Sequence, residues 1–237
     1  MILSTHQPYF CPHPGYFSKA ALCDVFVLLD SVQFPRGSTW ITRNRFKNDQ
    51  GSFWMSVPVW KKGKGLQRIH EVRICHEGRW KKKHLRSICH AYAEAPYFRE
   101  HFPLFEQVFS DAYEKIADMD CDIIRRAADC LGIRARILRL SEMDTAGSGT
   151  DLLVGICLTL GARRFLSFRS ARKYLDEERF RRAGIEILFM DPPDLVYPQL
   201  WGGFIPNLSV FDLLFTCGPK SLEIMERGCK GIRFEGP

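Results

Sequence analysis

The sequence predicts an α/β fold, because strand and helix patterns alternate at both ends of the chain. A short apolar run at residues 1–3 is followed by a polar loop and then by a helical pattern that begins at residues 18–21. A second apolar run, residues 24–30, comes next. A strand, a helix and a strand within about thirty residues are typical of a βαβ unit. A chain of 237 residues is long enough for one such domain.

The loop at residues 6–17 is the most informative stretch of the chain. It holds three prolines and one glycine among histidine, glutamine and tyrosine side chains. Proline restricts φ and glycine allows close backbone approach, so we expect a stiff loop. A loop after the first strand lies at the carboxyl edge of the sheet, where α/β proteins bind ligands. The alternative interpretation is a proline-rich arm packed on the surface.

The region from about residue 40 to residue 75 is predicted to be a β-rich insertion. Residues 53–59 and 69–74 have the aromatic and β-branched content of strands, and a basic glycine turn at residues 61–65 joins them. Pro58 indicates an edge strand or a bulge. Residues 43–47 alternate basic side chains with Asn44 and Phe46, as an extended segment does.

A helical segment is predicted from about residue 78 to residue 131. Its three helices span residues 78–92, 96–119 and 121–131, and Gly132 ends the last one. Alternation then resumes, with strands at 135–140, 164–167 and 186–190 and helices at 151–160 and 176–183. Residues 147–150 precede the first of these two helices and offer an N-cap. We expect one α/β domain over residues 1–237, with a mainly parallel sheet flanked by helices.

The amino-acid composition limits the ligands and the cellular location expected for the protein. The formal net charge is +7 and the isoelectric point is about 9.0, which permits attraction to an anionic nucleotide, nucleotide-sugar, RNA or membrane surface. Dispersed charges on a solvated surface are the alternative. No apolar run reaches the roughly 20 residues of a membrane span, and the N-terminus lacks a signal-peptide pattern. Nine cysteines without a CxxC pair predict reduced thiols, a cytoplasmic location and no metal site.

Three segments are expected to meet at the carboxyl edge of the sheet: residues 6–16, 30–47 and 167–174. His6 is a candidate general base, because its ordinary pKa lies nearest neutrality; a structural histidine is the alternative. Asp30 is the second catalytic candidate, as a base, a metal ligand or a ribose partner, or else the cap of a neighbouring loop. Arginine and lysine on one face suit phosphate or carboxylate, although a charged strand face exposed to solvent would look the same. The candidate substrate-binding residues are Gln7, Tyr9, Gly15, Tyr16, Lys19, Gln33, Arg43, Asn44, Arg45, Lys47, Ser167 and Arg169.

One short motif in the first loop bears on cofactors. His13-Pro14-Gly15-Tyr16 resembles a variant of the histidine–glycine loop of class I nucleotidylyl-transferases, with tyrosine in place of the second histidine. That resemblance implies a Rossmann-like, nucleotidylyl-transferase-like sheet and makes ATP a candidate cofactor. The chain has neither a GxGxxG nor a GxxxxGK[ST] motif, so a dinucleotide fingerprint and a P-loop are both excluded.

A wider resemblance covers nearly the whole chain. The matching blocks, in order, are residues 6–19, 24–34, 43–47, 54–59, 91–98, 131–133, 161–162, 197–200 and 208–215. On these blocks the sequence resembles the WbqC-like family of bacterial proteins. One position departs from the family pattern: a glycine-containing turn is usual after the strand that ends at Ser167, whereas Phe168 and Arg169 follow here.

The resemblance implies a biosynthetic function. Members of the family are similar to proteins encoded in gene clusters for O-antigen, for other surface structures and for secondary metabolites. For these proteins, transfer of glycine or another amino acid to an amino sugar has been proposed. We therefore expect an aminoacyl or acyl transferase, or an ATP-dependent ligase, that acts on an amine of a small-molecule or nucleotide-sugar substrate. A non-catalytic module that binds an anionic glycan, nucleotide or RNA is the second hypothesis, with nucleic acid the less favoured ligand. A structural partner in a biosynthetic complex is the third.

Overall fold

The computed structural model describes residues 1–229, which form seven strands and eight α-helices. The strands are β1 (Ile2–His6), β2 (Val25–Leu28), β3 (Arg43–Asn48), β4 (Gly51–Ser56), β5 (Arg136–Arg139), β6 (Arg164–Phe168) and β7 (Glu186–Met190). The helices are α1 (Pro14–Ala21), α2 (Trp80–Tyr92), α3 (Phe98–Ser110), α4 (Ile116–Leu131), α5 (Gly149–Leu160), α6 (Glu177–Arg182), α7 (Val210–Cys217) and α8 (Ser221–Cys229).

Five of the strands form a parallel sheet in the order β5-β2-β1-β6-β7. β1 is central, and its Leu3 lies opposite Val25 on one side and Phe165 on the other. After β1, the chain adds β2 and then β5 on one side of β1. It then crosses to the other side of β1, where it adds β6 and then β7. The connections that follow β1 and β6 therefore run in opposite directions, and α/β proteins bind ligands in the crevice at such a switch point. We call the region between the carboxyl ends of these two strands the crevice. The predicted α/β class with a mainly parallel sheet is confirmed.

Helices cover both faces of this sheet. This arrangement explains why the sequence of β2 is apolar throughout. Phe26 and Leu28 pack in the larger core with α1 and the helical segment, whereas Val25 and Val27 pack with α5 and α6. Successive strand side chains point to opposite faces. Because both faces are covered, every residue of β2 is buried, and the run is continuous rather than alternating.

The insertion forms a hairpin in which β4 overlaps the strand predicted at residues 53–59 and β3 covers the segment predicted to be extended, residues 43–47. β3 pairs with β4 in antiparallel register, from Arg43 opposite Ser56 to Asn48 opposite Gly51. The strand predicted at residues 69–74 is wrong: residues 69–71 form a turn of 3₁₀ helix, and Val59–Ile74 is an isolated bridge. The reason is long-range, since the Ile69 N–H donates to the Val32 carbonyl and the His70 N–H to the Asp30 carbonyl.

The helical segment also divides differently from the prediction. The predicted helix at 96–119 ends at Ser110, and α4 begins at Ile116, before the expected start at residue 121. Residues between them turn to the insertion instead: the Ile74 N–H donates to the Glu114 carbonyl, and the Ile116 N–H to the Val72 carbonyl. The predicted glycine stop is confirmed, because Gly132 adopts φ of 71° after α4.

The strands and helices predicted after residue 135 are confirmed as β5, α5, β6, α6 and β7. α7 was not predicted from the sequence, because all eight of its residues are buried and no polar face marks its period. None of the helices in residues 1–229 has the length and apolar character needed to cross a membrane.

Candidate functional site

The crevice between the carboxyl ends of β1 and β6 is lined by aromatic and basic groups. β1 ends at His6, β6 ends at Phe168, and the His6 and Phe168 rings lie 6.4 Å apart. The His6 ring also meets the edges of Tyr9 and Tyr16, each with a centroid distance of 4.6 Å. Residues from the first loop, α1 and β6 thus surround one imidazole. Sequence and structure agree in placing His6, Tyr9 and Tyr16 together.

The hydrogen bond of His6 determines its tautomer. Nδ1 lies 3.0 Å from the Gln7 carbonyl oxygen, which only accepts, so Nδ1 is assigned the hydrogen. The lone pair is then on Nε2, which makes no hydrogen bond to any described residue. Burial, and next the nearby Lys19 ammonium, lower the pKa of His6 well below its ordinary value of 6.5. His6 is therefore a neutral imidazole near pH 7, able to accept a proton at Nε2.

Lys19 is a buried amine at the same site. Its side chain is 3% exposed, its Nζ donates to the Thr5 carbonyl at 2.7 Å, and Nζ lies 4.8 Å from the centre of the Phe168 ring. Within residues 1–229, no carboxylate forms an ion pair with it. Burial lowers the pKa of Lys19 to about 7. The amine can therefore gain or lose a proton near neutral pH.

The buried amine makes a pH-dependent contribution to stability that Lys19→Met removes. Lys19 loses its proton at about pH 7 in the folded protein, against an ordinary value of 10.5. Unfolding between these values takes up a proton, so the free energy of unfolding rises with pH there. From pH 7 to pH 8.5 we expect the wild type to gain about 1.5 kcal/mol more than the variant.

Urea denaturation of both proteins at several pH values across this range measures the difference. Groups remote from Lys19 titrate equally in the two proteins, so they cancel in the comparison; His6 and Cys23, whose pKa values Lys19 lowers, are the exceptions. Parallel pH dependence of the two unfolding free energies would show that Lys19 keeps its proton throughout.

Asp30 is fully buried and its carboxylate is already occupied. Oδ2 accepts from Arg139 Nε at 2.8 Å and from the Ser141 hydroxyl at 2.6 Å, and Oδ1 accepts from the Ser141 N–H at 2.8 Å. Arg139 also donates to Asp118 at 2.8 Å. These bonds join the loops that follow β2 and β5. Asp30 lies at the carboxyl edge, as the sequence indicated, and its contacts there are with the fold itself.

The three basic residues of β3 lie in different environments. Arg43 stacks on the Trp54 ring at 4.3 Å, and Arg45 Nη2 donates to the Pro206 carbonyl at 3.1 Å. Lys47 is buried, with Nζ donating to the Gly203 carbonyl at 2.7 Å. Alternation places the three basic residues on one side of the strand, but their charged ends contact three different segments.

Asn44 holds the first loop against the insertion. Its Nδ2 donates to the Phe10 and Cys11 carbonyls at 3.1 and 2.6 Å. Cys11 has φ of 44°, which is uncommon for a residue other than glycine. The Asn44 amide supports this conformation and so stabilises the loop that carries His6.

Three further candidates lie at the rim or in the walls of the crevice. The Tyr16 hydroxyl donates to the Gln7 carbonyl at 3.2 Å, and the Ser167 hydroxyl contacts the Phe168 carbonyl at 3.5 Å. Arg169 donates to Asp191 at 3.1 Å. Phe168, the departure from the family pattern, forms the wall shared by His6 and Lys19.

Gly15 packs closely against the His13 ring. A Cβ atom at position 15 would lie 3.1 Å from that ring. Burial, and then Arg45, lower the pKa of His13 to about 4. Tyr16, which replaces the second histidine of the nucleotidylyl-transferase loop, is fully buried. The segment therefore lacks the paired imidazoles of that loop.

A second cavity of about 530 Å³ opens beside the carboxyl ends of β2 and β5. Gln33, Gln67 and Arg68 line one side, and the segment 145–149 at the start of α5 lines the other. Among its lining residues Arg68 is the one charged side chain, and none is a histidine, cysteine, aspartate or glutamate. This cavity offers hydrogen bonds and a positive charge to a ligand, without a group that transfers protons.

Sequence reasoning missed two ionisable groups, the partly buried Arg139 and the fully buried Asp120. Both carboxylate oxygens of Asp120 are buried without a hydrogen-bond partner in the described part of the chain, and burial raises the pKa of Asp120 well above its ordinary range. Its position was detectable, since it lies on the apolar face of α4, four residues after Ile116 and four before Ile124. No sequence pattern indicated that Arg139 would pair with Asp30.

Residues 1–229 contain no group of three or more histidine, cysteine, aspartate or glutamate side chains that could hold a metal ion. The donors around the crevice are instead one imidazole, one amine and hydroxyl groups.

Comparison with known proteins assigns the family. A family model described as the WbqC-like protein family matches residues 7–224. The chain is 31% identical over 226 residues to the uncharacterized protein Rv1507c of Mycobacterium tuberculosis (strain ATCC 25618 / H37Rv), covering 94% of this chain and 96% of that protein. No solved structure matches the chain. Because the family match spans nearly its whole length, the chain belongs to the WbqC-like protein family.

Proposed function

We propose that the protein transfers a small acyl or aminoacyl group, glycine-like in size, to an amine held in the crevice between β1 and β6. The observation that carries this proposal is the neutral His6 imidazole, whose Nδ1 hydrogen is held by the Gln7 carbonyl while Nε2 stays available. An amine must lose a proton as it attacks an acyl carbon. A neutral imidazole at the carboxyl edge of the sheet is suited to take that proton.

The proposed step uses His6 and Lys19 in different roles. The acceptor nitrogen forms a bond to the acyl carbon, His6 Nε2 takes the proton that the nitrogen loses, and the bond to the leaving group breaks with its electron pair. The Lys19 ammonium stabilises the negative charge that develops on the acyl oxygen. Because Lys19 lacks a carboxylate partner in the described residues, its charge is not already neutralised.

The crevice walls suit a small substrate with apolar faces. Tyr9 and Phe168 are half-buried and flank the imidazole, so their rings can pack against the faces of a sugar. The Lys19 ammonium, which pairs with no carboxylate in residues 1–229, favours an anionic substrate such as a nucleotide-sugar. An amine on a sugar or a related metabolite of surface-polysaccharide biosynthesis is therefore the proposed acceptor, in line with membership of the family.

The remaining candidate site residues fall into two groups according to their contacts. We assign Gly15, Tyr16, Asp30, Asn44, Arg45 and Lys47 to positioning, because their polar groups or backbones already contact the fold. Gln7, Ser167 and Arg169 remain the proposed substrate contacts at the rim, whereas Gln33 lines the second cavity and Arg43 stacks on Trp54.

A binding module is the second candidate function, and the cavity beside β2 and β5 favours it. Its lining of glutamines, Arg68 and the start of α5 can hold an anionic ligand without a proton-transfer group. In that case the ligand would bind in this cavity, and His6 would have no effect on it.

Calorimetric titration with amino-sugar nucleotides, glycine and ATP tests the proposed function. Mixtures of the protein with the compounds that bind are then analysed by mass spectrometry. We expect an amino-sugar nucleotide to bind and its mass to rise by one glycyl group when a glycine donor is present. Arg68→Ala should leave both results unchanged, because Arg68 lines the second cavity. Binding that is lost in Arg68→Ala, without any mass change, would favour the binding module. Binding of none of these compounds would exclude the nucleotide version of the proposal.

A further inference from the structure

The net charge of the chain is concentrated in one segment. Residues 31–68 contain eight basic residues and one acidic residue, Asp49, so their formal charge is +7. The whole chain also has a formal charge of +7, which leaves equal numbers of basic and acidic residues elsewhere. The positive field of the protein therefore originates in the loops around the β3–β4 hairpin.

The same segment exposes large apolar side chains. Trp40, Trp54, Trp60 and Leu66 are exposed, with 45% of Trp60 and 61% of Leu66 accessible. Exposed apolar groups that form a contiguous patch rimmed by polar residues mark an interaction surface. We call these four residues, together with Arg36, Lys61, Lys62 and Lys64, the aromatic–basic surface.

Contacts between the loops join several parts of this surface. The Trp40 and Trp54 rings lie 5.5 Å apart. Lys61 Nζ donates to the Gly37 carbonyl at 3.3 Å, which ties the turn at residues 61–65 to the loop that carries Trp40. Arg36, Lys61 and Leu66 line one shallow cavity of about 300 Å³. Two cationic side chains and one aliphatic side chain therefore line the same small cavity.

We propose that the aromatic–basic surface binds an anionic phospholipid bilayer. Trp60 and Leu66 enter the headgroup region, while Arg36, Lys62 and Lys64 face the lipid phosphates. Tryptophan prefers the membrane interface, and lysine and arginine attract anionic lipids. This proposal does not depend on the reaction assigned to the crevice.

The apolar groups favour a bilayer over single-stranded RNA. Proteins hold single strands by stacking bases on exposed aromatic rings. Here Trp40 and Trp54 contact each other, and the Arg43 guanidinium already stacks on Trp54 at 4.3 Å. Leu66, a highly exposed apolar group of the surface, has no ring on which a base could stack. An exposed leucine side chain is stabilised most by transfer into the apolar layer of a bilayer.

Sedimentation with vesicles of phosphatidylcholine, with and without phosphatidylserine, tests the proposal on the full chain. We expect binding to the mixed vesicles, a blue shift of tryptophan fluorescence, and weakening by salt. The double variant Lys62→Glu/Lys64→Glu should bind at least about tenfold more weakly, since each basic residue contributes about fivefold. Trp60→Ala/Leu66→Ser should abolish the fluorescence shift and weaken binding by at least about tenfold.

Matched controls separate the surface from bulk properties. Arg134→Glu/Arg163→Glu makes the same change in net charge at exposed positions before β5 and β6, and Leu158→Ser removes a leucine that is 59% exposed on α5. Both should bind within about twofold of the wild type. The proposal is overturned if the two charge variants lose binding equally, if phosphatidylserine makes no difference, or if single-stranded RNA binds and displaces the vesicles.

Discussion

Replacing His6 with alanine is expected to lower turnover by about 10²–10⁴-fold while ligand affinity changes little. The neutral imidazole is the proposed base, and its loss removes the proton acceptor without removing the aromatic walls of Tyr9 and Phe168. The pH profile adds a second test. Because the pKa of His6 lies well below 6.5, the rate should not fall as pH decreases from 7 to 6.5. It should fall above pH 7, where Lys19 loses its charge.

The control for this variant is His70→Ala. His70 also has Nδ1 near a backbone carbonyl, that of Asp30 at 3.1 Å, but it lies in the insertion and not in the crevice. Turnover measured by mass spectrometry and affinity measured by calorimetry should be unchanged in the control. Equal loss of affinity and turnover in His6→Ala would instead assign His6 to binding.

Replacing Asp30 with alanine is expected to destabilise the protein by about 3–5 kcal/mol. The change leaves Arg139 without the buried partner that it meets at 2.8 Å and leaves two Ser141 donors without an acceptor. The loss is large because Asp30 is fully buried. Chemical denaturation followed by circular dichroism measures it.

Asp118→Ala is the matched control, because Asp118 contacts the same guanidinium from a position that is 40% exposed. Solvent screens this pair, so we expect a loss of about 1 kcal/mol or less. An Asp30→Ala protein that keeps wild-type stability and loses turnover would restore the catalytic role that the sequence suggested for Asp30.

The sequence predicted the central sheet and one wall of the crevice well. The continuous apolar run in β2 indicated burial on both faces, and the loop after β1 indicated the carboxyl edge. Both signals are local, because they depend on the burial of neighbouring residues in one strand. The grouping of His6, Tyr9 and Tyr16 followed from their closeness in the chain.

The predictions failed where residues far apart in sequence share hydrogen bonds. Residues 69–74 have a strand-like composition, yet their backbone pairs with residues 30–32 and 114–116. The helix predicted to continue to residue 119 breaks for the same reason. Composition cannot show which distant carbonyl a given N–H will meet.

The α/β class and the mainly parallel sheet followed from the sequence alone, and the sequence also led to the prediction of a candidate site at the carboxyl edge. The chemical groups available at that edge became known only from the packed fold. This fold pairs Asp30 with Arg139, 109 residues away, and joins Lys47 to Gln199, 152 residues away. It leaves Lys19 buried with no acid beside it in the described residues. The physical reason is that a local pattern shows which side chains are buried, whereas the partner of a buried charge is set only when distant segments pack together.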